Sequence, residues 1–372
     1  MPGLAVTRLQ VSHFRSHRQA RLRTDERPVV LFGRNGAGKT NLLEAVSLLS
    51  PGRGLRRAAA EDLARRPEAI GWKITAELRR HGTIHEIETW ADPGAARSLR
   101  IDGKQAPQAA LGRIAPMVWL LPSMDRLWTD SAEGRRRFLD RMTLNFEPDH
   151  AGCAVDYEKA MRQRNRLLRD QVENPAWYTA LEQQMARAGA RMIANRHLAL
   201  TRLAAAQEDA RTTFPASRLS MTGPDDPPPP ETEDALRSAL AQGRRRDMAA
   251  GRSLTGPHRA DLHAVYSAKG VQAAQCSTGE QKALLVSIIL ACARALHNDT
   301  GVPPILLLDE VAAHLDEDRR AALFEELVAI GTQAWLTGTG RELFTGLESH
   351  AQIFELRESA DGSTIASAPD ST

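Results

Sequence analysis

Apolar residues follow three spacings along this chain, and each spacing predicts a different kind of element. Short unbroken runs at 29–32 ("VVLF"), 117–121 ("MVWLL") and 305–308 ("ILLL") read as strands, the last buried on both faces and parallel to its neighbours. A further strand is predicted over 4–11. Between 70 and 78, Ile70, Trp72, Ile74, Ala76 and Leu78 alternate with other positions, the period of a half-buried antiparallel strand. Asp102-Gly103 then supplies a hairpin turn. Helical spacing appears over 39–49, where Leu42, Leu43, Val46 and Leu49 share one side, and again across 125–215, from 279, and over 317–330.

These textures predict an α/β protein with a helical second lobe. Residues 1–124 combine a buried strand-loop-helix unit with an antiparallel sheet, 125–250 form an arginine-rich helical lobe, and 251–357 return to strands and helices. A Pro-rich acidic loop, "TGPDDPPPPETED" (222–234), interrupts the lobe and is expected to be mobile. The Ser/Asp/Ala-rich stretch 358–372 is expected to be a disordered tail.

Composition adds little. Lys and Arg total 49 against 46 Asp and Glu, and the resulting net charge of +3 does not by itself signal nucleic acid. Cys153, Cys276 and Cys292 form no C-x-x-C pair, which fits a reducing cytosol without disulfides or a zinc site. The start of the chain lacks a signal-peptide layout, and the longest apolar stretch, 283–293, is about half a bilayer span. A cytoplasmic protein with no membrane partner is expected.

The chemistry is concentrated in two places. "GRNGAGKT" (33–40) fits G-x-x-x-x-G-K-[ST] between a strand and a helix, the context a phosphate loop requires. Its glycines let backbone N–H groups close around phosphate oxygens, and the following helix adds its positive N-terminal end. Lys39 would neutralise the β- and γ-phosphates, and Thr40 would hold Mg²⁺ through its hydroxyl. Asp309 follows the buried strand at its C-terminal end, where α/β folds place ligands, and would serve the Mg²⁺ shell. Its neighbour Glu310 points another way and can face an attacking water as general base. Acids after a strand can also cap the next helix, but the phosphate loop favours the catalytic reading. No guanine-reading N-K-x-D is present, so ATP is the expected nucleotide.

"CSTGEQ" (276–281) carries S-x-x-E, which on its own describes a capping box. The order phosphate loop, S-x-G-E, apolar-D-E and "AHLD" (313–316) resembles ABC-type ATPases. Ser277 lies 238 positions beyond Lys39 but only 32 before Asp309, a split that resembles SMC-like DNA-repair ATPases. Sustained heptads for coiled-coil arms are missing. "VSHFRSH", "AEGRRRFLDR" (132–141), "LTGPHRADL" (254–262) and "STGEQKALLVSIILA" make the chain similar to the RecF family of bacterial DNA replication and repair proteins up to about residue 350.

The resemblance implies an ABC-type ATPase head with weak, DNA-stimulated ATP hydrolysis. It also implies ATP-dependent homodimerisation, binding at gapped or single-strand/double-strand junction DNA, and cooperation with RecR and indirectly RecA. Carried over residue by residue, Gly33, Arg34, Asn35, Gly36, Ala37, Gly38, Lys39, Thr40 and Asn41 would surround the phosphates, with Arg15 reaching the nucleotide. Lys39, Asp309 and Glu310 would be catalytic, with Thr40 and Asp309 on the metal. Ser277, Gly279 and Glu280 would meet the γ-phosphate of the opposite subunit. Two departures stand out. "AWLTGTG" has no switch histidine, leaving Thr337 or Thr339 to touch the γ-phosphate, and Asp125 stands where a glutamine is expected.

Across 135–169 there are nine Lys/Arg against five acids. Arginine forks suit phosphates, and the resemblance implies DNA contact by this lobe without choosing among its arginines; Arg135, Arg136, Arg137, Arg162 and Arg166 are the candidates. A charged helix that simply stays solvated accounts for the composition equally well. In "GPHRADL", His258, Arg259 and Asp261 have no metal or triad spacing, and a turn into a strand with one salt bridge is preferred over nucleotide sensing or DNA contact. A transporter-type ATPase is disfavoured by the wide split, and a vestigial site by the intact acids.

Overall fold

A computed structural model describes residues 3–208, 210, 212–223, 229–359 and 362–367, so much of the Pro-rich loop lies outside the described residues. The chain divides into two compact units. One is made of Met1–Asp125, Asp209–Pro215 and Leu285–Thr372; the other of Arg126–Glu208 and Ala216–Leu284.

The first unit holds two six-stranded sheets. One is antiparallel, with strands in the order His17–Arg23, Ala5–Phe14, Trp72–Arg80, Thr83–Ala91, Ser98–Ile101, Lys104–Gln105. Every second residue of Trp72–Leu78 is buried there, as the alternation predicts, but Ile70 lies outside the strand and is 60% exposed; Asp102 and Gly103 make the hairpin at positive φ. The other sheet runs Gly362–Ser367, Gln352–Ser359, Val29–Phe32, Ala334–Gly338, Ile305–Leu308, Met117–Leu120. It is parallel except for Gly362–Ser367, which pairs antiparallel. Both strands are buried on both faces; Ile305–Leu308 is the unbroken apolar run such a sheet demands, while Ala334–Gly338 carries one polar residue, Thr337.

Gln333 ties the sheets together. Its side chain accepts from the Val6 backbone N–H at 2.9 Å and donates to the Val6 carbonyl at 3.0 Å, while Trp335 Nε1 donates to its oxygen at 3.0 Å. A buried amide satisfied this way costs little and fixes register. The stretch 358–372 is not a simple disordered tail, because Ser363–Ile365 and their neighbours pair with Glu358–Leu356 along the sheet edge. The paired backbone supplies what a sequence with a single large apolar residue did not advertise.

The second unit packs the helices His150–Arg169 and Glu233–Gln242 against the long helix Pro175–Glu208, with Arg244–Ala250 beside them, and sets Ala132–Phe146 and Pro175–Glu208 against a three-stranded sheet. The expected boundary at 250 is displaced. Asp261–Tyr266 pairs with Ser217–Thr222, so residues 251–284 belong to this unit. Helix Thr278–Thr300 is long and apolar enough to cross a membrane, but 72% of its apolar window is buried inside the protein. It serves as a core helix.

Candidate active site

Local backbone rules shape the phosphate loop. Gly36 and Gly38 sit at φ +86° and +92°, a region only glycine enters freely. A Cβ on Gly38 would also approach Ser363 Oγ and His17 Nε2 to 2.6 and 2.7 Å. Gly38 caps the helix Lys39–Ser47, whose face of Leu42, Leu43 and Val46 is fully buried. That burial anchors the first turn, where N–H groups are free for an anion.

Asn35, Gly36, Gly38, Lys39, Thr40 and Asn41 line a cavity of about 200 Å³ together with Arg56 and Glu310. Lys39 is 5% exposed, and its ammonium donates to the carbonyls of Gly33 and Arg34 at 2.6 and 3.0 Å. Burial pulls its pKa below the ordinary lysine value, opposed by the charges of Glu310 and Asp309. Thr40 Oγ1 donates to Asp309 Oδ1 at 2.9 Å, so the loop and the strand acid meet as the motif requires. Gly33 and Arg34 line a second, larger cavity, and Ala37 is buried.

Several expectations need correcting. Arg15 turns away from the cavity: its fork grips both oxygens of the buried Glu44 at 2.8 Å, and a third nitrogen donates to the Asp62 carbonyl. Arg56, which the motif did not flag, takes the place beside the phosphate loop and donates to Asn41 Oδ1 at 2.9 Å. Asn41 also donates to Ser16, which accepts from Ser363. Thr337 is fully buried and donates to Asp309 Oδ1, so it takes no switch position; Thr339 is exposed and lines the larger cavity. Asp125 sits half-buried in a short turn after Met117–Leu120.

Ser277, Gly279 and Glu280 lie in the helical unit at the exposed start of Thr278–Thr300. The capping box is complete. Ser277 N–H and Oγ donate to Glu280 Oε2 at 2.9 and 2.8 Å, and Glu280 N–H reaches back to Ser277 Oγ. Lys269 pairs with the other carboxylate oxygen and, with Ser277, holds the Glu280 carboxyl down at about 2.

The arginine run splits in two. Arg135 is spent on Asp261, at 2.7 and 2.8 Å, and on the carbonyls of Leu127 and Asp130, which removes it as a DNA contact. Arg136 is half-buried and donates to the Ala260 carbonyl. Arg164 is wholly buried between Glu182 and Asp247. Arg137, Arg162 and Arg166 remain on the surface, paired with Glu133, Glu158 and Asp170 one helical turn away. "GPHRADL" is the structural turn preferred above. The Tyr157 hydroxyl donates to His258 Nδ1 at 2.7 Å and His258 Nε2 donates to the Ser253 carbonyl, while burial holds the imidazole neutral, its pKa down to about 4.

Solved structures share this fold. The recombination mediator protein RecF-ATPrS of the RecFOR pathway matches with a TM-score of 0.84 at 21% identity over 98% of both chains. The Smc head domain of Pyrococcus furiosus matches at 0.56 and 14% identity, over 98% of this chain and 96% of that one. The fold is therefore that of an SMC-type head domain. The family described as RecF/RecN/SMC N terminal domain matches residues 5–360. A DNA replication and repair protein RecF from Rhizobium rhizogenes (strain K84) is 49% identical over 360 residues, 94% of this chain and 96% of that protein. Its counterpart from Rhizobium etli (strain CFN 42) is 47% identical over 369 residues, 96% and 98% of the two chains. The chain belongs to the RecF family.

Proposed function

We propose that this protein is an ATP-dependent DNA-binding protein of recombinational repair and replication restart, acting in the cytoplasm. ATP binding joins two heads on gapped or single-strand/double-strand junction DNA, and slow hydrolysis releases them. RecR, and RecA through it, are the expected partners. The observation that carries this reading is the convergence of Lys39, Thr40 and Glu310 on one cavity, with Asp309 bonded to Thr40 at its edge.

Each residue has a role in keeping with its position. Lys39 neutralises phosphate charge, and the glycine backbone orients the chain of phosphates. The Thr40 hydroxyl and Asp309 carboxylate are the hard oxygen donors Mg²⁺ takes, in the small number it takes when phosphates and water complete its shell. Bound there, Mg²⁺ would offset charge on the phosphate oxygens. Glu310 lines the same cavity and accepts a proton from the attacking water. Ser277, Gly279 and Glu280 lie at an exposed helix start, and meeting a second subunit's γ-phosphate would require the Ser277 donors to turn from the Glu280 carboxylate to the phosphate.

Glu310→Gln is the test. The variant should bind ATP and accumulate as a dimer on a sizing column with saturating ATP and Mg²⁺, since the water loses its base. A monomer under those conditions would overturn the proposal.

A further inference from the structure

Thr337 lines neither of the two cavities described above, yet it is bonded to both strand acids. Its side chain is fully buried in Ala334–Gly338, the strand beside Ile305–Leu308. A hydroxyl has one proton to give, and Thr337 gives it to Asp309 Oδ1 at 2.7 Å. Thr337 Oγ1 in turn accepts the backbone N–H of Glu310 at 2.8 Å. One atom therefore holds the metal-side carboxylate and the backbone that carries the general base.

The second bond matters because of where Glu310 lies. Its φ is +53°, the left-handed region that a non-glycine residue occupies only when its surroundings insist. That turn of the chain lets Glu310 line the cavity under the phosphate loop while Asp309 meets Thr40. Without an acceptor for its N–H, the backbone would relax toward an ordinary conformation and carry the carboxylate with it.

We propose that Thr337 is a positioning residue for ATP hydrolysis, whose single hydroxyl sets the orientation of Asp309 and pins Glu310 in its left-handed backbone. The inference rests on the ATPase reading above, and it assigns Thr337 no contact with nucleotide.

Valine has the shape of threonine without the hydroxyl, and serine keeps the hydroxyl without the methyl. Thr337→Val should bind ATP within about twofold of the wild type. Its kcat should fall on the order of 100-fold, the scale of a misplaced reacting group, with KM changed far less. Thr337→Ser should recover most of the lost kcat. A valine variant with wild-type kcat, or a serine variant as slow as valine, would overturn the proposal, the latter because packing of the methyl would then be the cause. If valine prevents folding, Thr337→Ala removes the same hydroxyl and is judged by the same outcomes. A wild-type protein that binds ATP and never turns it over would instead overturn the ATPase reading, and this role with it.

Discussion

The two units of this protein use charge in opposite ways. In the ATPase unit, Lys39 and Glu310 converge on a cavity, where their charge is available to a ligand. In the helical unit, buried charges face each other. Arg164 is enclosed by Glu182, Asp247, Ser253 and the Leu240 carbonyl, and Arg196 is bound to Asp140 and the Pro257 carbonyl. The neighbouring Arg196 and His150 hold the Asp140 carboxyl well below the usual range against its burial. A basic run in sequence thus says little about partners until burial separates internal forks from surface ones.

The largest effect should come from breaking an internal fork. Arg164→Leu leaves Asp247 and Glu182 short of a partner in the core and should cost about 3–5 kcal/mol in urea unfolding. Lys39→Ala should instead abolish ATP binding while stability moves by less than about 1 kcal/mol. Equal stability of these two variants would erase the contrast.

A smaller effect comes from pH. His258 titrates near 4 when folded and near 6.5 when unfolded, so the unfolded chain binds the extra proton between those values. Stability from this group is full above about pH 6.5 and declines as pH falls, by on the order of 2 kcal/mol at pH 5. His258→Gln should flatten that part of the stability profile. A wild-type profile already flat from pH 7 to 5 would show the imidazole is not held neutral.

The surface arginines should matter least for folding. Arg162→Ala with Arg166→Ala should change stability by no more than about 0.5 kcal/mol. If both touch DNA phosphates, the slope of log affinity against log salt should shrink by about 2. An unchanged slope would leave them a solvated face.

Much of this was legible wherever local rules decide. The glycines of the phosphate loop, the apolar strand before Asp309 and the alternation over 72–78 each fixed a position because backbone geometry or burial admits few alternatives, whereas Ile70 falls outside the strand and is exposed. The boundary at 250 was not legible, since Asp261–Tyr266 finds its partner in Ser217–Thr222 across the Pro-rich loop. The fate of Arg164 could have been read. Cys153, Tyr157, Ala160, Arg164 and Leu168 form one buried helical stripe, so that arginine was bound for the core. Thr337 was singled out only as a stand-in for a switch histidine, and its bond to Asp309, 28 residues away in sequence, appears only when their strands lie side by side.

The strand Val29–Phe32 lies between Ala334–Gly338 and Gln352–Ser359, and Val6 bonds to Gln333, 327 residues away. On a ribosome adding about 5–20 residues per second, roughly 16–65 s pass between the two halves of that contact. For that interval the phosphate loop is translated but has no sheet to stand on. A nascent chain should therefore hold ATP poorly, and a truncated product lacking its last strands should be a target for proteolysis rather than an idle competitor for nucleotide.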